Sequence, residues 1–212
     1  MKVVFAYDFD KDVENLLKGF NSINNKKPTK LQELFLLRNE QLDREHVSTF
    51  LSEFQVSSPI ELLSAEHTFE QKWQEIAELY FKRVEKLFNI EYPVQSITAY
   101  LSTNSRCTYD IPEGYFFLYH QSKEPNATIM HELLHFYTWY AWHERLMAKG
   151  LTPQEYNDIK ESLTVLLNIE FFDLMNGEVD AGYPQHKEMR DRIAYLWNEH
   201  KDLEMVMDQL IP

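Results

Sequence analysis

Cysteine, glycine and long apolar runs are all scarce in this sequence, and each shortage removes a class of protein. The single cysteine of the 212-residue chain, Cys107, excludes an internal disulfide. The fold therefore has to be held by its core, and the usage fits a reducing compartment or an indifferent one. The thiol itself reads as a small buried hydrophobe. Five glycines form neither a phosphate-binding loop nor a dinucleotide fingerprint. No apolar stretch approaches the roughly 20 residues that a membrane span needs. The partly apolar segment Met1 to Tyr7 runs directly into Asp8, Asp10 and Asp12. That pattern is unlike a secretory signal, so a cytoplasmic location with no membrane partner is expected. Basic residues are few as well: 21 Lys and Arg stand against 34 Asp and Glu, for a net charge of −13. Such a chain repels nucleic acid and anionic lipid unless basic side chains cluster. The densest basic run, Lys26, Lys27 and Lys30, reads as a solvated loop, and no nucleic-acid partner is expected.

What is present is mainly helical patterning on a chain with an ordinary apolar content of 44%, long enough to build a core. Thr29 with Gln32, Ser58 with Glu61, and Thr152 with Glu155 have the spacing of capping boxes. Pro59 and Pro153 follow their caps by one residue, where proline's missing N–H costs nothing. Helices are therefore predicted to begin near positions 30, 59 and 153. The second is read as long, because Trp73, Ile76, Tyr80, Val84 and Leu87 recur at helical spacing as far as Asn89. Only Asn21 to Pro28 looks like a linker. From Tyr92 to His120, β-branched and aromatic runs alternate with turn residues and predict three short strands. Asn126 is expected to cap a helix from Ala127 to Lys149, ended by Gly150. A last helix is expected near Pro184, carrying Met189, Ile193, Leu196 and Trp197. Helices, then a small sheet, then helices define an α+β protein. The expected division is a helical N-terminal region over 1–90 and a second region over 91–212.

One motif carries chemistry: His131-Glu132-Leu133-Leu134-His135. On a helix the two imidazoles project from one face about 6 Å apart, a spacing at which both can hold one zinc ion. Glu132 lies about 100° round the helix from His131, where it can reach the open position of the metal without ligating it. There it can take a proton from water whose pKa the metal has lowered, acting as general base and later as general acid. At the His and Glu frequencies of this chain, a chance occurrence of the pattern is on the order of 3%. A closed structural zinc site would favour several cysteines, which the chain does not have.

With its strands, its His131–His135 helix and a second helix bearing a glutamate, the chain resembles the zincin metallopeptidases, over roughly Ile97 to Gly177. Within them it is similar to the gluzincin branch. The metzincin branch needs a glycine and a histidine where this chain has Thr138 and Ala141. His143 is about 120° round the helix from His131 and reads as a surface residue. The resemblance implies a small, mostly antiparallel sheet, an active-site helix and a glutamate-bearing helix. It also implies that an edge strand, here around Ser105 to Asp110, pairs with extended substrate. The third zinc ligand would be a downstream glutamate. Glu161 is preferred, because Asn157, Thr164 and Asn168 share its helix face and a hydroxyl follows three residues later. Glu170, nine residues on and on the opposite face, is the alternative. Many gluzincins carry an aspartate that supports a zinc histidine at the position of Val165, so that support is missing here. Similar peptidases place a Tyr or His after this helix to stabilise the oxyanion, which singles out Tyr183 and His186.

The expected function is zinc-dependent hydrolysis of peptide bonds in a peptide or protein substrate, with Glu132 as general base and His131, His135 and Glu161 on the metal. The alternative is a latent or vestigial zinc-binding helical protein that acts as a binding or regulatory module.

Overall fold

The computed structural model describes residues 1–21, 27–57 and 62–211. Its chain divides into two compact units, each built from separate stretches of sequence: Lys2–Trp73 with Ser96–Pro125, and Gln74–Gln95 with Asn126–Pro212 and Met1.

The first unit contains the sheet. Lys2–Ala6 forms β1, a strand inside the region read from sequence as helical. Val3 and Phe5 turn inward while Lys2 and Val4 face out, the two-residue period of a half-buried strand. Helices α1 (Phe9–Asn21), α2 (Lys30–Leu36), α3 (Arg44–Ser57) and α4 (Leu62–Gln74) follow, then β2 (Ser96–Ser102), β3 (Tyr109–Asp110) and β4 (Tyr115–Tyr119). The strand order is β1-β2-β4-β3. The pairs β1–β2 and β2–β4 are parallel and β3–β4 is antiparallel. The sheet is thus mixed and not mostly antiparallel as expected. Parallel neighbours need a crossover connection; β1 joins β2 only after the intervening helices, and this pairing has no local signature in sequence. The three strands expected between Tyr92 and His120 are present, with the short β3 at a sheet edge.

Val13, Leu16 and Phe20 of α1 pack with Leu31 and Phe35 of α2 and with Val47, Phe50 and Leu51 of α3 in one apolar cluster. The ring centroids of Phe20 and Phe50 each lie 5.4 Å from that of Phe35. The capping box at Thr29 and Gln32 is formed; the one read at Ser58 and Glu61, with Pro59, lies outside the described residues, as does most of the linker. A buried polar joint ties α1 to the end of β2. Asp12 accepts from Ser102 Oγ (2.7 Å), Thr103 N (3.0 Å) and Thr103 Oγ1 (2.8 Å). Gly19 leaves room for the amides of Gln32 and Asn104: a Cβ there would sit 2.8 Å from Gln32 Nε2 and 3.0 Å from Asn104 Nδ2.

The second unit is helical. The long helix expected to run to Asn89 is broken: α4 ends at Gln74, and α5 covers Ala77–Phe88. The break falls where the chain passes from one unit to the other. Asn89 closes α5 in the left-handed conformation, which asparagine tolerates. Helix α6 (Pro125–Ala148) starts one residue before the expected cap. It ends at Ala148, one residue short of the expected Lys149, and Gly150 follows with a φ of +90°. Gly150 N bonds Met147 O and Leu151 N bonds Leu146 O, the paired bonds that satisfy the last carbonyls of a helix. Helix α7 (Pro153–Leu163) opens on the predicted box at Thr152 and Glu155. It is separated by Thr164 from α8 (Val165–Glu170), so Glu161 and Glu170 lie on two helices and not one. A 3-10 turn at Pro184–His186 leads into α9 (Lys187–His200), and Asp202 caps α10 (Leu203–Leu210). Tyr80, fully buried, donates from its hydroxyl to Met130 O at 3.1 Å and packs its ring on Phe171. No helix among the described residues is long and apolar enough to cross a membrane.

Candidate metal centre

The centre is built from α6, α7 and the loop before α9, all within the helical unit. Ile129, Met130, Leu133, Leu134, Phe136 and Tyr137 are fully buried, which fixes the rotation of α6 and leaves His131 and His135 on a common polar seam. The Thr152 cap and Pro153 fix the start of α7, and its buried residues Tyr156, Ile159 and Leu163 set its rotation. Glu161, two turns in, faces the seam.

His135 Nε2 lies 3.5 Å from Glu161 Oε1, and His131 Nε2 lies 4.0 Å from Glu161 Oε2. One ligand atom from each of the three residues falls within 4.8 Å of the others, and the group could hold a metal ion. An ion bound tetrahedrally by nitrogen and oxygen draws its ligand atoms to about 3.4 Å from one another, so the trio is open by less than 1.5 Å. Two imidazoles and a carboxylate are a donor set suited to zinc.

The carboxylate that the resemblance would put at position 165 is supplied from elsewhere in the chain. Asp180 Oδ2 is 2.6 Å from His131 Nδ1. A carboxylate only accepts, so Nδ1 carries the proton and the Nε2 lone pair is left for the centre. Asp180 is itself held on several sides. Thr164 Oγ1 donates to Oδ1 at 2.9 Å, and Arg190 Nη2 lies 2.8 Å from the same oxygen. Asn168 exchanges two bonds with the Asp180 backbone, at 2.8 and 2.9 Å. Arg190, only 6% exposed, crosses the backbone of Gly182, where a Cβ would come 2.6 Å from Cζ and φ is +62°. Both the close approach and the backbone angle require glycine there.

The electrostatics follow from burial and this network. Burial pulls the His131 imidazole down, but the bond to Asp180 and the charges of Glu132, Asp180 and Glu161 outweigh it and raise its pKa. Burial, helped by Lys160 and His131, holds His135 well below the usual range, which favours the neutral, metal-binding ring. Asp180 stays below the normal carboxylate range: burial would raise it, and the hydrogen bond and charge of His131, Thr164 and Arg190 more than offset that. Glu132 is pushed up to about 7, mainly by burial, with His131 opposing and Glu161 adding to the rise. Its Oε2 is buried with no hydrogen-bond partner among the described residues. Lys160, 2% exposed, places Nζ 2.9 Å from Glu161 Oε1.

Of the two candidate carboxylates, Glu161 belongs to the trio and Glu170 does not. Glu170 points away from it, toward the indole N–H of Trp197 (2.6 Å) and Lys201 Nζ (3.0 Å). Tyr183 and His186 are outside the trio too: His186 Nε2 pairs with Asp158 Oδ1 at 3.1 Å, and the Tyr183 ring stands edge-on to the His186 ring. His143 stacks on Trp139. Sequence reasoning missed Asp180, Arg190 and Lys160. The polar stripe of Thr164 and Asn168 was the available signal that some buried partner faced that side of the helix.

No family model, no curated protein and no solved structure matches the chain.

Proposed function

We propose that this chain is a zinc-dependent metallohydrolase of zincin type, and that its substrates are peptides or proteins. The observation that carries this reading is the position of Glu132: a buried carboxylate with an unpartnered oxygen, raised to about 7, next in sequence to a ligand of a trio that could hold an ion. A structural metal site has no use for an unpaired acid at that place, whereas hydrolysis needs one. Zinc bound to His131, His135 and Glu161 would supply Lewis acidity, activating a water and polarising the scissile carbonyl. Glu132 takes the proton of the attacking water and delivers it to the leaving nitrogen. Asp180 holds His131 in the ligating tautomer. Tyr183 and His186 are the proposed donors to the developing oxyanion; Asp158, which holds His186, is one helical turn before Glu161.

The test is elemental analysis combined with cleavage of a mixed peptide library. The expectation is about one zinc per chain, with Glu132→Gln keeping the metal while turnover falls by roughly 10²–10⁴. Full activity in that variant would exclude the mechanism. Metal binding without turnover in the wild type would favour the alternative of a latent binding module.

A further inference from the structure

A cavity of about 910 Å³ lies within the helical unit, lined by the end of α5, by α8 with the turn that follows it, and by the junction of α9 and α10. That is the size of a small-molecule site. Leu87, Phe88, Phe171, Trp197 and Leu203 form its apolar wall, and Phe172, 68% exposed, leaves its ring largely uncovered there. No member of the metal trio lines it. The polar groups of the wall are unequally engaged. Its donors are taken up by its own carboxylates: both Nη atoms of Arg83 donate to Asp173, and Trp197 Nε1 and Lys201 Nζ donate to Glu170 Oε1. Among the described residues, the exposed Lys86 is the one lining cation without such a partner. Acceptors remain. Glu170 Oε2 has no hydrogen-bond partner among the described residues, nor has Asp202 Oδ2, whose sister oxygen caps α10. Burial would raise the Glu170 carboxyl, but the bonds from Trp197 and Lys201 and the charges of Lys201 and Arg83 hold it below its ordinary range. Helices α5 and α9 both end in this wall, at Asn89 and Lys201. The carbonyls of a last helical turn carry partial negative charge, which favours a cation.

We propose that this cavity binds a small organic cation with an apolar body, an amine or amidinium whose N–H groups bond Glu170 Oε2 while the body lies against Phe172. The proposal does not rest on the metal-centre reading. A ligand that donates meets acceptors that are still open, and an ionised carboxylate makes the stronger kind of hydrogen bond with it. The exposed face of Phe172 attracts the same charge through its ring quadrupole. An anion of the same shape would find Lys86 alone, next to carboxylates that repel it.

Benzamidine, an aromatic amidinium, is the probe, with benzamide and benzoate as its neutral and anionic counterparts. The readout is the indole N–H signal of Trp197 in proton–nitrogen NMR, told apart from those of the other tryptophans by through-bond correlation to its own backbone. Benzamidine is expected to shift that signal saturably, and benzamide and benzoate to bind at least roughly tenfold more weakly. Glu170→Gln is expected to weaken benzamidine roughly tenfold and to remove its advantage over benzamide. Phe172→Ala, a change at an exposed ring, is expected to weaken it about threefold, and it carries the test alone if Glu170→Gln gives no cooperative thermal transition. The absence of a saturable shift with benzamidine overturns the proposal. So does benzoate binding as tightly as benzamidine, or full benzamidine affinity in the folded variants.

Discussion

Asp180 Oδ2 lies 2.6 Å from His131 Nδ1, and the two residues are 49 positions apart. The bond fixes which imidazole nitrogen faces the candidate metal centre. Asp180→Ala should therefore cut zinc affinity by roughly 10–100-fold, measured by competition with a chromogenic chelator. Equal affinities for variant and wild type would mean that packing alone orients the ring.

Glu161→Gln should reduce zinc affinity by more than the loss of an outer partner does, so by at least about 100-fold. Glu170→Gln should leave metal binding within about twofold. It should cost about 1 kcal/mol of stability, because the carboxylate that accepts from Trp197 and Lys201 is replaced by a neutral amide. Weaker metal binding in Glu170→Gln alone would move the third ligand away from α7.

The metal-free protein carries a pH-dependent strain at Glu132. Its folded carboxyl is raised from 4.5 to about 7, so the folded state holds a proton more tightly than the unfolded chain. The stability that this proton contributes is complete below about pH 4.5 and is lost as the pH rises to about 7. The full shift corresponds to about 3 kcal/mol. Chelator-treated Glu132→Gln should thus gain on chelator-treated wild type in urea melts between pH 5 and pH 8. A difference that stays constant across that window would show that the carboxyl finds a partner when ionised.

Gly19→Ala sets two effects of opposite sign against each other. Alanine favours a helix interior by up to about 1 kcal/mol over glycine. The added methyl would meet Gln32 Nε2 at 2.8 Å and Asn104 Nδ2 at 3.0 Å. Neither amide yields easily, since Gln32 Oε1 accepts from Thr29 N and Asn104 Oδ1 accepts from Thr29 Oγ1. Overpacking of this kind costs about 1–3 kcal/mol, so the variant should melt at lower temperature. A gain in melting temperature would show that the amides can move.

What could be read from the sequence was local. His131, Glu132 and His135 are set by spacing within one helix, and the boxes at Thr29 and Thr152 and the stop at Gly150 by near neighbours along the chain. What could not be read depends on distant segments. The choice between Glu161 and Glu170 turns on which face of this helical stretch packs toward α6 and which toward Trp197 and Lys201 of α9. Asp180 lies in a loop between Gly177 and Gly182, without periodicity to place it. The strand β1 had a readable Val3-Val4-Phe5 run, but its parallel direction depends on a partner more than 90 residues away.

That distance bears on how the chain is made. Val3 pairs with Ile97, and Ala99 pairs with Phe116, so β1 has no partner while the first 95 residues emerge from a ribosome. Helices α1 to α3 can gather around Phe35 early, since their contacts are local. The sheet has to wait for β2, and the low-contact-order cluster precedes the high-contact-order pairing. In that interval Lys2–Ala6 is a short β-prone segment with both edges bare, the kind of segment that invites wrong partners during synthesis.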